Sequence, residues 1–573
     1  MGGFIVFPKV VEEFVEAVEE RFCRSLEVFQ KKNLALGSRI VRNNFVAYRY
    51  CKLSSHTESV AEFDNGDFAF CTGTFIYDDK TGKNALIQSY KDLVSGSLDE
   101  NKIAGNFHLL VYKNGELWSL SDYCGYYPVY IDDASKVIST SYLAVARVGG
   151  SPKLSQQGFF DYVFHGFFVN EETLIRGVRL LDSRKFWRHY PTMSQVERTP
   201  VFDSFTRDVS PSEVVEKVSC ELNAYYENLV KLFPQDIGSA LSGGFDSRHM
   251  LALLRHAGAT PSLYVYGTPD TSDVLVAKEI TRGEKLSLDH IDKGASKKID
   301  IDTFHESIER NLYFFDGIKP VGLIDDGSDL ATRLARARDA NLQLNGAGGE
   351  IYREIWNIPD KSVGLEKFLK MRFDQGFYGY CHGEFSADAY FAGLADKVRG
   401  ILKIDGDTLP RQQAEMLFPF MRNKFAQSNN AANSQISHSL LPFMEPRFVI
   451  PSFDIPIKYK YCGELHAALI RAADPALAKY NSAYGINFSD PIPWLYRMRL
   501  AGERHLPLSL RLIKRAHGAS KPQAMPYFLE KPYIESIVDL NHLEISEYLD
   551  MSKIMNPEIL SRALSVELLL QHL

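Results

Sequence analysis

Between Ile237 and Leu251 the chain reads Ile-Gly-Ser-Ala-Leu-Ser-Gly-Gly-Phe-Asp-Ser-Arg-His-Met-Leu, and no other stretch restricts the possible folds so tightly. A short apolar segment, Asp236 to Leu241, reads as a strand, and a helix opens near Phe245 and stops near Gly258. The two glycines between them permit a tight turn and a close backbone approach. The first-turn N–H groups of that helix have no intrahelical partner, and its positive dipole end points at the loop. Strand, loop and helix together make a cradle for a multiply charged anion such as pyrophosphate, with Ser242, Gly243, Gly244 and Ser247 as its contacts. Asp246 would repel a bare phosphate, so its place there implies a magnesium ion (Mg2+) between carboxylate and phosphates. Taken alone, the loop also admits a plainer reading, a tight turn with Asp246 as a helix-start residue. It is not the common P-loop, because Gly82-Lys83-Asn84 lacks both the hydroxyl and the first glycine that motif needs. Nor does any Gly-x-Gly-x-x-Gly follow a strand, which argues against a dinucleotide reductase.

The rest of the chain divides into two grammars. From Met1 to about Thr192 it reads as short strands broken by turns, with Asp64-Asn65-Gly66-Asp67 and Lys113-Asn114-Gly115-Glu116 flanked by alternating apolar residues. Strands are predicted at Phe68 to Ile76, Phe107 to Tyr112, Leu117 to Ser121 and Pro128 to Ile131, and a helix around Val10 to Phe29. After the polar stretch Thr199 to Ser212 come a helix (Val214 to Leu232), the glycine loop, strand Ser262 to Tyr266, helix Val274 to Thr281 and strand Leu342 to Leu344. Such alternation predicts a parallel, doubly wound sheet; from about Leu365 helical patterns dominate. At 573 residues the chain is long for one core. The expected organisation is α/β, with an antiparallel-sheet-rich α+β domain over 1–200 and a parallel-sheet domain over 205–573.

Ser-Gly-Gly-x-Asp-Ser resembles the pyrophosphatase loop of the asparagine synthetase-like enzymes. Leu263 to Asp273, followed by Ala277, is similar to their second strand and helix, which makes Tyr266 and Gly267 contacts for adenine. Asn345-Gly346-Ala347-Gly348-Gly349-Glu350 resembles their second glycine loop, whose acidic residue binds magnesium and pyrophosphate; that role falls to Glu350, beside Gly346. Pro442 to Val449 resembles a segment of their helical part. In the first half, Ala104 to Tyr112 and Ser121 to Tyr130 are similar to the family's glutaminase domain. The resemblance implies an Ntn-type glutaminase-like sandwich followed by an ATP pyrophosphatase domain with helical additions. It implies ATP and Mg2+ as cofactors, Asp246 and Glu350 as metal ligands, and Arg248 with those two among the catalytic candidates.

The family pattern is broken at three places. Glutamine-hydrolysing members carry cysteine directly after the initiating methionine, because the thiol and the α-amine must belong to one residue. Position 2 here is Gly2, so this half is expected not to hydrolyse glutamine, as in the β-lactam synthetases and lasso peptide cyclases that the chain resembles more closely. Ala347 stands where a titratable residue manages the amine's proton; Tyr352 and Glu354 are the nearby alternatives. Ala483 stands where a lysine is expected, with Lys479, Lys460 or Arg248 as substitutes. The resemblance therefore implies an adenylating ligase that joins a small-molecule or peptide carboxylate to an amine, releasing AMP and pyrophosphate. Free ammonia as the amine, an RNA-modifying enzyme and a non-catalytic nucleotide-binding scaffold stay open.

Composition bears on partners. Sixty-five basic against 72 acidic residues, a formal charge of −7, leave no general attraction for nucleic acid or an anionic membrane. A basic stretch, Arg497 to Lys521, reads as a solvated helix face. The seven cysteines are scattered, with no Cys-x-x-Cys pair. Without a signal sequence or a spanning segment, a cytoplasmic protein is expected, with a homodimer or a biosynthetic partner protein possible.

Overall fold

Alternation along the strands of the first half sends successive side chains into two different cores. In Phe68–Gly73 every residue is buried; Phe68 and Phe70 join one apolar cluster, Ala69 and Cys71 another. The strand Gly3–Pro8 divides the same way, Phe4 and Val6 toward the first cluster, Ile5 and Phe7 toward a third. The computed structural model, which describes residues 2–9, 15–55, 59–149, 152–206, 208–234, 237–294, 297–519 and 524–573, thus stacks two six-stranded antiparallel sheets face to face. Helix Gly82–Ser95 covers one outer face, and helices Val15–Lys31 and Tyr142–Val148 cover the other. The result is a four-layer sandwich. The predicted strand Phe68 to Ile76 is interrupted at Gly73, whose φ of +82° turns the chain, and Ile76–Tyr77 pairs in a separate small sheet. Residues 10–14 of the predicted first helix, Asp236 of the predicted strand and the end of the basic stretch fall outside the described residues.

The second half begins with the helix Pro211–Leu232, started by a reciprocal capping box between Ser210 and Glu213. A five-stranded, wholly parallel sheet follows, built from β1 (Ile237–Ala240), β2 (Ser262–Tyr266), β3 (Leu288–Ile291), β4 (Leu342–Leu344) and β5 (His438–Leu440). Its order is β3-β2-β1-β4-β5, so the winding reverses between β1 and β4. Short helices fill most of the chain beyond Leu365, as expected.

The two halves share one core: Phe29 and Tyr142 belong to the same cluster as Leu251, Leu342 and Leu569. The helix Pro557–Gln571, buried from Ile559 to Leu570, packs against Gln156–His165 of the first half. Among the described residues no helix is long and apolar enough to cross a membrane.

Candidate active site

In a parallel sheet, ligands bind beyond the strand C-termini where the order reverses. Both glycine loops are there. β1 runs into Ser242-Gly243-Gly244 and the helix Phe245–His256, and the adjacent β4 runs into Asn345 to Glu350. The loops touch: a Cβ on Gly346 would come within 3.3 Å of the Asp246 carbonyl carbon and the Ser247 nitrogen. Any side chain there would press the two loops a few tenths of an ångström apart. Ala240 of β1 is level with Tyr264 of β2, which puts Tyr266 and Gly267 at the same end of the sheet as Ser242.

The first loop is braced by its own hydroxyls. The Ser242 N–H donates to Ser247 Oγ at 2.9 Å, the two serine hydroxyls are 2.9 Å apart, and the Gly244 N–H donates to Ser242 Oγ at 3.3 Å. The Gly243 N–H donates to Asp273 Oδ1 at 2.8 Å, and the Gly243 carbonyl accepts from the Ala483 N–H at 2.9 Å. A Cβ on Gly243 would stand 2.7 Å from the Ala483 methyl, whereas one on Gly244 would meet nothing nearer than Ser242 Oγ (3.6 Å) and Tyr484 Oη (3.9 Å). The loop is closed at Gly243 and open, bounded by hydroxyls, at Gly244.

Asp246 and Glu350, distant in sequence, converge on one group, the guanidinium of Arg353. Its Nη2 donates to Asp246 Oδ2 at 2.8 Å and Oδ1 at 3.0 Å, and lies 3.5 Å from Glu350 Oε1. Glu350 also accepts from the Gly348 N–H through Oε2, at 3.0 Å. The guanidinium rests over the Phe245 ring, 5.0 Å from its centroid. Burial pushes the Asp246 carboxyl up, Arg353 pulls it down and Glu350 pushes it up again. Burial alone would lower Arg353, but Asp246 and Glu350 outweigh it and hold the guanidinium charged. The short double contact describes an ionised pair with a second carboxylate alongside.

Behind Asp246 sits a buried histidine pair. His249 Nδ1 and His466 Nε2 are 3.1 Å apart, and burial lowers both pKa values, His249 to about 3, so both rings are neutral. His466 Nδ1, 3.8 Å from Asp246 Oδ1, is therefore a polar neighbour and not an ion-pair partner.

The other candidates are placed as follows. Arg248 is fully buried, donating to the carbonyls of Tyr480 (2.6 Å) and Asn481 (2.9 Å) over the Phe488 ring; it anchors the segment that carries Ala483. The Tyr266 ring lies 5.3 Å from the Arg336 guanidinium and 5.1 Å from Lys293 Nζ. The Gly267 N–H donates to the Ile291 carbonyl, and its own carbonyl is 3.0 Å from His290 Nε2. Tyr352 is buried against His249 and Phe443. Glu354 pairs with Arg411, which also pairs with Glu415; Lys460, fully buried, joins that cluster, and Lys479 is exposed. Sequence reasoning missed Arg353, Asp273 and the histidine pair. Arg353 had one visible signal, its place one turn after Glu350.

The open face at Gly244, the hydroxyls around it and the neighbouring guanidinium fit a polyphosphate. A divalent ion held between Asp246 and Glu350 does not fit this arrangement, because Arg353 Nη2 stands there.

No family model matches the chain, and no curated protein is similar to it in sequence. Among solved structures it is similar to the allosteric regulatory enzyme of purine biosynthesis, at 10% identity and a TM-score of 0.23 over 50% of this chain and 64% of that one. It is also similar to glutamine phosphoribosylpyrophosphate amidotransferase from B. subtilis complexed with ADP and GMP, at 12% identity and a TM-score of 0.23 over 50% of this chain and 65% of that one. In both cases the chain spans just under two thirds of the solved chain's length.

Proposed function

We propose that this chain is an ATP-dependent, AMP-forming ligase that activates a substrate carboxylate and passes it to an amine. The observation that carries the reading is the meeting of two glycine loops at the reversal of a parallel sheet, with an acidic residue from each converging on one arginine. In this reading the Gly244 face and the first-turn amides of Phe245–His256 hold the β- and γ-phosphates. A substrate carboxylate oxygen attacks the α-phosphorus, and the bond from that phosphorus to the α,β-bridging oxygen breaks. Its electron pair leaves with pyrophosphate, and an acyl-adenylate remains. The amine then attacks the acyl carbon, loses a proton to solvent or substrate, and AMP departs. Arg353 supplies positive charge beside the leaving group, where fixed charge is most effective. Tyr266 borders the adenine.

Carboxylate-dependent exchange of pyrophosphate into ATP, without amine, tests the proposal. Exchange with any member of a carboxylic acid panel, and AMP formation once an amine is added, is the expected result. ATP binding with no exchange across the panel would leave the second reading, a nucleotide-binding scaffold. That reading is favoured by Ala347 and Ala483, which place methyl groups where the family resemblance implies titratable side chains.

A further inference from the structure

Beside the first glycine loop stands a short turn, Ser482-Ala483-Tyr484-Gly485-Ile486, fastened from several sides. The Ser482 N–H and hydroxyl both donate to the Ile486 carbonyl, at 2.7 and 2.6 Å. Gly485, at a φ of +75° that suits a residue without a side chain, donates to the Ser482 carbonyl at 2.9 Å. The Tyr484 N–H turns back to Ser482 Oγ at 3.3 Å. Just upstream, Arg248 grips the Tyr480 and Asn481 carbonyls, and the Ala483 N–H ties the turn to the Gly243 carbonyl. The turn is thus bound to itself and to the phosphate loop, with Tyr484 at its tip.

Tyr484 is 47% exposed, yet both ends of its side chain are placed. The ring centroid lies 5.6 Å from that of Phe245, and the hydroxyl is a hydrogen-bond partner of the Arg353 guanidinium. A guanidinium only donates, so the phenol oxygen is the acceptor in that pair and its own hydrogen points elsewhere. Accepting from a cation also polarises the O–H and strengthens it as a donor. A Cβ on Gly244 would stand 3.9 Å from Tyr484 Oη, so the hydroxyl borders the open face of the loop. A phosphate oxygen seated at Gly244 would meet the first-turn amides of Phe245–His256 on one side and this hydroxyl on the other.

We propose that Tyr484 is a ligand-binding residue of this site, donating its hydroxyl hydrogen to an oxygen of the pyrophosphate end of the nucleotide. Because the turn is already fixed, the donor is in position before the anion arrives, and little ordering is required on binding. The assignment rests on the phosphate placement in the ligase reading. It does not rest on turnover, since free pyrophosphate would be held in the same way.

The test is calorimetric titration of the full chain with inorganic pyrophosphate, run beside ATP–pyrophosphate exchange. Tyr484→Phe keeps the ring on Phe245 and removes only the hydroxyl. Its melting temperature should match the parent's, while its pyrophosphate affinity falls about tenfold or more, the loss expected for one hydrogen bond to a charged group. Exchange, with whichever carboxylic acid supports it, should fall in step. Tyr496→Phe, at a partly buried tyrosine on the helix Trp494–His505, should leave the affinity at the parental value. Parental pyrophosphate affinity in Tyr484→Phe, an equal loss in Tyr496→Phe, or no binding by the parent would each overturn the proposal. Pyrophosphate binding that depends on Tyr484, with no exchange for any acid, would sink the ligase reading and leave the assignment of Tyr484 standing.

Discussion

Arg353 reaches back one helical turn past Glu350 to grip Asp246, 107 residues upstream, with a single nitrogen in contact with both carboxylate oxygens. The contact joins the two glycine loops covalently anchored to β1 and β4, and it gives two neighbouring acids a shared counter-charge. Like charges so close would otherwise repel strongly in a partly buried setting.

Arg353→Met is therefore expected to destabilise the fold by about 2–4 kcal/mol, read by urea titration. The estimate is trimmed below that for a fully buried pair because the Arg353 and Asp246 side chains are 16% and 23% exposed. Adding Asp246→Asn should recover part of the loss. Additive effects in the double variant would mean that the two groups do not interact.

Asp246→Asn and Glu350→Gln each keep a side-chain oxygen that can accept from Arg353. Each should cost about 1 kcal/mol or less in stability yet change ATP–pyrophosphate exchange by about tenfold or more, because the two carboxylates set how much positive charge Arg353 presents beside the leaving group. Near-parental exchange in either variant would remove that residue from the chemistry.

The two loop glycines should respond in opposite ways to alanine. Gly243→Ala drives a methyl against Ala483 and should lower the melting temperature. Gly244→Ala meets no contact under 3.6 Å and should melt like the parent while losing affinity for ATP, because its methyl enters the open face. A Gly244→Ala protein with parental ATP affinity would place the phosphates elsewhere.

Gly2→Cys should not produce glutamate from glutamine. The Gly2 N–H is committed to the Tyr50 carbonyl at 3.0 Å, and a Cβ there would lie 2.6 Å from the Cys51 carbonyl oxygen, so the strand must shift to admit any side chain. Glutamate release by that variant would show that the half retains a working glutaminase frame.

Glu445, buried, accepts from the Gly105 N–H at 2.8 Å and the Tyr225 hydroxyl at 3.0 Å, and burial pushes its pKa up to about 7 from 4.5. The folded state thus keeps a proton that the unfolded chain has released. Its contribution is fully present below pH 4.5, falls as pH climbs through 7, and is absent above. Two and a half pKa units correspond to about 3 kcal/mol. Glu445→Gln, which stays neutral, should be more stable than the parent at pH 8 and similar at pH 4, as thermal melts at the two pH values would reveal.

How far the molecule could be read in advance depended on how local each constraint is. The strand, loop and helix around Gly243 follow from neighbouring residues, and β2 and β4 were legible as apolar runs between breakers. β3 and β5 escaped because Leu288-Asp-His-Ile and His438-Ser-Leu are short and partly polar, and only the partners beside them make them strands. By the family resemblance, Arg248 is one of the substitutes for the lysine that neutralises the transferring phosphate. Two residues past Asp246 on a helix, however, it faces nearly the opposite way, toward the Tyr480 and Asn481 carbonyls. The place of Arg353 one turn after Glu350 is visible in the sequence, but its reach to Asp246 follows only from the approach of the second loop to the first at Gly346.

The helix Pro557–Gln571 also sets an order of events during synthesis. Its residues fill the space beside Gln156–His165, and the carbonyls of His572 and Leu573 are held by Arg147 and Arg24. A nascent chain would expose that side of its early layers until some four hundred further residues had left the ribosome. In the interval the uncovered apolar wall invites chaperones or premature association, and a truncation that spares both glycine loops would still leave it bare.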